Sequence, residues 1–123
     1  MSEIQKTKTF DLEERTFQYA SNVRRLVNKL SKTISNTEDG KQLVRASGSV
    51  AANYIEANES LSKKDFIYRI KICRKEVKES RLFLRLIDTG DKGDFETERT
   101  ELIHEATELM KIFGAIIVKA ENK

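Results

Sequence analysis

Apolar residues recur along this chain at intervals of three and four, the spacing that keeps side chains on one face of an α-helix. Leu12, Thr16, Tyr19, Ala20, Val23, Leu26, Val27 and Leu30 share one face of a first predicted helix. It opens at Asp11, with Glu14 three residues on. That pair is an Asp version of the capping box, in which side chains satisfy the free N–H groups of a first turn. The pattern decays over Ser31–Ser35, and Asn36-Thr37-Glu38-Asp39-Gly40 reads as a polar connector.

A second helix is predicted from about Thr37–Lys41 to Glu59, with Leu43, Val44, Ser47, Val50, Ala51, Tyr54 and Ala57 inward. A third follows Ser60-Leu61-Ser62, where Ser62 and Asp65 suit a helix start. Its stripe is Phe66, Ile70, Cys73, Val77, Ser80 and Leu84, and it ends near Asp88. Thr89-Gly90-Asp91-Lys92-Gly93-Asp94 is the clearest loop. The fourth helix uses Leu102, Ile103, Ala106, Leu109, Met110, Phe113, Ile116 and Ile117, and the tail Glu121-Asn122-Lys123 is expected to fray. Helices of about 20–26 residues with short connections favour antiparallel neighbours. The predicted fold is an all-α, up-down-up-down antiparallel four-helix bundle: one domain over residues 1–123, with an ordered core at about 10–118.

Composition narrows this further. No Pro and five Gly leave too few turn residues for a many-stranded sandwich or barrel. A single Cys excludes an internal disulfide. The N-terminal MSEIQKTKTF has no apolar run, and no stretch approaches 18 apolar residues. Neither a secretory signal nor a membrane span is therefore expected, and a cytoplasmic protein is. The net charge of +3 hides a polarity: residues 1–60 carry +1, residues 61–88 carry +5 and residues 89–123 carry −3.

The middle helices carry more than one patterned face. Beside its core stripe, the third places Ile72, Phe83 and Leu86 in a second sector shared with Glu76 and Glu79. On the second, Arg45, Ser49, Ala52 and Glu56 follow i, i+4, i+7, i+11 away from the core stripe, with Gly48 nearby. A second apolar stripe needs a surface to cover it. These two helices are thus expected to build an interface between copies in a closed cyclic homo-oligomer.

Candidate chemistry is sparse. A ferritin-like di-iron site needs two Glu-x-x-His motifs and two further Glu. The chain has one His, in Glu101-Leu102-Ile103-His104, and the wheel turns Glu101 and His104 outward. Cys73 lies on the core stripe and reads as a small buried hydrophobe, not a nucleophile. No Gly-rich phosphate loop occurs. Glu76 and Glu79, set among apolar residues, call for a basic partner such as Arg45 or Arg69. No cofactor, metal or catalytic residue is expected. The remaining signal is the basic third helix, with Lys63, Lys64, Arg69, Lys71, Arg74, Lys75, Lys78, Arg81 and Arg85. The row reads as spread around the helix rather than confined to one face. Such a row can follow a phosphate backbone, and a ring of copies would concentrate its field. Lys63, Lys64, Lys71, Arg74, Lys75 and Lys78 are the candidate nucleic-acid contacts.

Several stretches carry a resemblance. Phe10-Asp11-Leu12-Glu13-Glu14-Arg15-Thr16-Phe17, Arg45-Ala46-Ser47-Gly48-Ser49-Val50-Ala51-Ala52-Asn53-Tyr54-Ile55-Glu56-Ala57, Asp65-Phe66-Ile67 to Glu76-Val77-Lys78-Glu79, and Leu82-Phe83-Leu84-Arg85-Leu86 are its parts. Together the chain resembles the four-helix-bundle proteins encoded within intervening sequences of bacterial 23S ribosomal RNA genes, over roughly residues 10–118. The most specific part is Arg-x-x-x-Ser-x-x-Ala-Asn-x-x-Glu, here Arg45, Ser49, Ala52, Asn53 and Glu56. The resemblance implies an antiparallel bundle assembled as a ring, a pentamer. The related accessory variability proteins of diversity-generating retroelements bind nucleic acid, which adds weight to that function. Val50 and Ala57 stand where relatives often carry a bulkier apolar residue and a Gly.

The resulting expectation is a non-enzymatic, homo-oligomeric scaffold that binds RNA or DNA backbone; the alternative is a protein-interaction adaptor. Arg45, Ser49, Ala52, Asn53, Glu56, Ile72, Glu76, Glu79, Phe83 and Leu86 are its candidate interface residues.

Overall fold

A computed structural model describes the backbone of residues 2–122 and the side chains of residues 12–122. Four helices follow one another: α1 (Ser2–Lys29), α2 (Ile34–Asn58), α3 (Lys63–Leu86) and α4 (Gly93–Glu121). Contacts between neighbours run in opposite senses. Asn58 of α2 meets Glu13 of α1, while Arg24 of α1 reaches the Val44 carbonyl. On the next pair Arg45 meets Glu79 and Asn53 meets Arg69. Arg81 then meets Thr107, and Lys71 meets Glu121. Every neighbouring pair is antiparallel, as short connections require.

Three boundaries differ from the sequence reading. First, α1 begins at Ser2, not Asp11. Nothing in residues 2–10 breaks a helix, so Asp11 lies within α1 and cannot cap it. Its side chain is outside the described residues, and the Glu14 carboxylate accepts from Gln18 Nε2 at 2.8 Å instead. Second, the expected connector at residues 36–40 is helical, and the true turn lies at residues 30–33. Thr33 caps α2 by accepting from the Asn36 N–H at 3.1 Å. Gly40 looks like a turn residue but serves close approach: a Cβ there would stand 3.1 Å from Val27 Cγ1. Third, α4 begins at Gly93, inside the expected loop; the turn keeps Gly90 and Asp91 at positive φ, 68° and 58°. The α3 start follows expectation, with Ser62 accepting from the Asp65 N–H at 3.1 Å.

The core is continuous through the bundle. Val23, Leu26, Leu43, Val50, Ile70, Val77, Leu84, Leu109 and Phe113 are fully buried. Each contributes about 1.5–3 kcal/mol through burial. Tyr54 and Phe113 pack as a tilted ring pair, 6.2 Å between centroids. Buried hydroxyls find hydrogen-bond partners, whereas Glu76 Oε1 has none. Thr16 Oγ1 bonds the Leu12 carbonyl at 2.9 Å. Ser80 Oγ donates to the Val77 carbonyl at 2.8 Å, which leaves the Tyr19 hydroxyl as donor to Ser80 at 2.6 Å. Burial pushes the Tyr19 phenol up to about 12.

Both odd-numbered connections sit at one end, joined by Asn36. Its Nδ2 donates to the Ser31 carbonyl (3.0 Å) and the Asp88 carbonyl (2.9 Å), and its Oδ1 accepts from the Asp88 N–H (2.8 Å). Nearby, Glu96 accepts from Thr89 and Arg99, which hold its carboxyl below the usual carboxylate range.

Candidate nucleic-acid interface

Helix α3 separates its charges by side. At about 100° per residue, eight of its nine basic residues fall within an arc of about 120°. The exception is Arg69, which faces α2 and donates to Asn53 Oδ1 at 3.0 Å. The three acidic residues, Asp65, Glu76 and Glu79, lie outside that arc, and Glu76 and Glu79 reach Arg45 on α2. The expected spread around the helix is therefore replaced by a sided arrangement. The sidedness is written in the residue spacing itself; packing adds that Glu76 and Glu79 meet Arg45 on α2.

All six candidate contacts, Lys63, Lys64, Lys71, Arg74, Lys75 and Lys78, are exposed. Lys71 is partly neutralised by Glu121, 3.0 Å away. Lys63, Lys64, Arg74, Lys75 and Lys78 make no ion pair among the described residues. Lys63 and Lys64 stand in the first turn of α3, where the helix dipole disfavours cations and favours an anion. Two further residues belong to this side. Arg85 is exposed, and Arg81 reaches Thr107 Oγ1 at 3.1 Å. With Lys75, Lys78, Glu79 and Leu82 they line a shallow surface depression. Their i, i+3, i+4 spacing with the predicted set was the signal that could have included them.

The neighbouring edge of α4 leaves this field intact. Between Glu101 and Glu121 it offers Ile103, Thr107, Met110 and Gly114 toward α3. Glu121 pairs with Lys71 of α3, while two other acidic residues of α4 turn toward α1. Glu105 pairs with Arg15 at 2.7 Å and Glu98 with Lys29 at 2.6 Å, both on α1. With Glu14, Glu101, Arg15 and Arg25 they line a groove of mixed charge between α1 and α4.

The α2–α3 seam gathers five of the ten candidate interface residues into two polar clusters, Arg45 with Glu76 and Glu79, and Ser49 with Asn53. Arg45 hydrogen-bonds Glu79, and its Nη1 lies 3.5 Å from Glu76 Oε1. Asn53 Nδ2 donates to the Ser49 carbonyl (2.9 Å) and Ser49 Oγ (3.0 Å). Arg45 is thus the basic partner of both carboxylates, and Arg69 serves Asn53 instead. Glu76 is buried, so it is spent within its own chain. Ala52 and Glu56 point to solvent, Leu86 is 53% exposed, and Leu82, not singled out beforehand, is 47% exposed. Ile72 is half-buried, and Phe83 packs partly against the core.

Other chemistry is not assembled. Cys73 is fully buried, its Sγ donates to the Val50 carbonyl at 3.5 Å, and burial pushes the thiol up to about 12. Glu101 and His104 are exposed on α4. Among the described residues, no group of three or more His, Cys, Asp or Glu is placed to hold a metal ion. No helix is long and apolar enough to cross a membrane, among the same residues.

The model of one protein family, the 23S rRNA-intervening sequence protein, matches residues 8–115. A solved structure of similar fold is a protein with unknown function from the S23 ribosomal protein family of Bacteroides thetaiotaomicron. It is 24% identical, with a TM-score of 0.71, and the match covers 86% of this chain and 97% of that one. No curated protein matches the chain.

Proposed function

The chain belongs to the 23S rRNA-intervening sequence protein family, and from that premise we propose a non-catalytic, homo-oligomeric scaffold that binds the phosphate backbone of RNA or DNA through α3. The observation that carries this reading is the sided charge of α3. Eight cations share one arc, beside an α4 edge without carboxylates between Glu101 and Glu121. Fold stability alone does not call for such clustering, because like charges three and four residues apart repel. Phosphates placed along the row would relieve that repulsion and release counterions. The absence of base-reading machinery makes the binding backbone-driven and weakly sequence-specific.

Assembly strengthens the reading. A closed ring, a pentamer by the resemblance, would repeat the basic arc and concentrate its field. The outer seam around Arg45, Ala52, Glu56 and Leu86 is the proposed contact between copies.

The test is fluorescence anisotropy of labelled RNA and DNA at ~50 and ~200 mM salt, over which phosphate contacts cost orders of magnitude in affinity. Lys75→Glu with Lys78→Glu is the informative variant, since both residues are exposed and outside the ion pairs. Salt-sensitive binding lost in that variant supports the scaffold. No binding at low salt, or binding untouched by the variant, overturns it in favour of a protein adaptor.

A further inference from the structure

We propose that Tyr68 is a stacking platform for an unpaired base, so that the basic side of α3 prefers single-stranded over duplex nucleic acid. This rests on the phosphate-binding role of α3 and names the class of nucleic acid it takes. The three tyrosines differ sharply in setting. Tyr19 and Tyr54 are 1% and 7% exposed, whereas Tyr68 is 60% exposed. Its neighbours on the helix surface are Lys64 and Asp65 one turn before and Lys71 and Ile72 one turn after, with Lys75 a further turn on, so two cations and one carboxylate adjoin the ring directly. Lys64 to Lys75 spans about 16 Å at 1.5 Å per residue, room for two or three nucleotides of extended strand.

The ring is also braced. The Arg69 guanidinium lies 5.8 Å from its centroid, and Arg69 is itself held by Asn53. A guanidinium over one face of an aromatic ring steadies it, and the 60% exposure of Tyr68 leaves the remaining face to a base. An exposed ring beside the unpaired Lys64 and Lys75, with Lys71 shared with Glu121, combines the two elements of sequence-tolerant single-strand binding: a phosphate-tracking cation row and a flat surface for a base. A duplex keeps its bases stacked on one another and presents no base face to Tyr68.

The chain has no Trp and Tyr68 is the exposed tyrosine, so stacking should quench intrinsic tyrosine fluorescence. The experiment titrates full-length protein and Tyr68→Ala with three labelled probes: a single strand of about 12 nucleotides, the same strand with abasic sites, and the matching duplex. Expected are quenching by the single strand, a roughly tenfold or greater loss of its affinity in Tyr68→Ala, and retention in Tyr68→Trp. The abasic strand should bind both proteins alike, with an unchanged salt slope. Salt-sensitive binding of all three probes that ignores Tyr68→Ala overturns the stacking role and leaves the phosphate scaffold standing. No binding of any probe at low salt overturns both. A fall in light-scattering mass for Tyr68→Ala would place Tyr68 between copies of the chain and overturn the platform.

Discussion

Nη1 of Arg45 on α2 stands 3.5 Å from Oε1 of Glu76 on α3, and that buried oxygen has no hydrogen-bond donor. Arg45 donates to Glu79 and to Gln42 and offers Glu76 only its charge. Removing Arg45 would strand a buried carboxylate. Arg45→Met should cost about 1–3 kcal/mol, at the low end because Arg45 is itself half-exposed. Adding Glu76→Leu should recover most of the loss. Urea melts at constant m-value measure both, and an undiminished Arg45→Met midpoint would show that the pair contributes nothing.

Asn36 should matter more than its place in a polar run implies. Asn36→Ala removes bonds to Ser31 and to both backbone groups of Asp88, at one end of the bundle. The expected cost is about 2–4 kcal/mol. Amide exchange would locate the damage in both connecting turns.

Tyr19 and Cys73 are neutral acids whose folded pKa values are raised. Below the unfolded values, about 10 and 9, their stabilising share is complete. As pH rises toward about 12 the unfolded chain ionises first, and stability falls. The midpoint of thermal unfolding should therefore drop steeply above pH ~9, and less steeply in Cys73→Ala. An aromatic disulfide reagent should label Cys73 only on unfolding; labelling of the native protein at neutral pH would contradict its burial.

The two interior glycines of α2 should respond differently to alanine. At Gly48 the new Cβ would meet Arg24 Nη2 at 2.9 Å, the far end of a flexible side chain that can swing away. Gly48→Ala should gain up to about 1 kcal/mol from helix propensity. At Gly40 the contact is Val27 Cγ1 at 3.1 Å, on the opposing helix. Gly40→Ala should be the less stable of the two by thermal melting.

Self-association is best tested away from Phe83, because that ring packs partly on its own core and its loss would damage the fold. Leu86→Glu places a charge on an exposed position. Its thermal melt should match the parent when both are monomeric, while the light-scattering mass falls. A parent mass of one subunit would defeat the ring.

Much of the fold was legible in the sequence because a helix writes its buried face at fixed spacing. Val23, Val50, Val77 and Leu109 at the centres of the stripes are buried, while Val27, Val44, Phe66 and Met110 at their edges are partly so, and Ser62 marks a helix start through chemistry local to its own turn. Cys73 and His104 were likewise placed by their position on the wheel. Boundaries set by distant contacts were not legible. Asn36 and Gly40 look like a connector because polar residues and Gly favour turns, yet Asp88 and Val27 hold them in α2. The choice of Arg45 over Arg69 for Glu76 and Glu79 also needed the tertiary structure, because register between helices decides which guanidinium arrives opposite which carboxylate. The same register sends Glu98 and Glu105 of α4 toward α1 and Glu121 toward Lys71 of α3. Periodicity fixes what each helix buries and which of its own charges share a side; only packing decides which charges of different helices become neighbours.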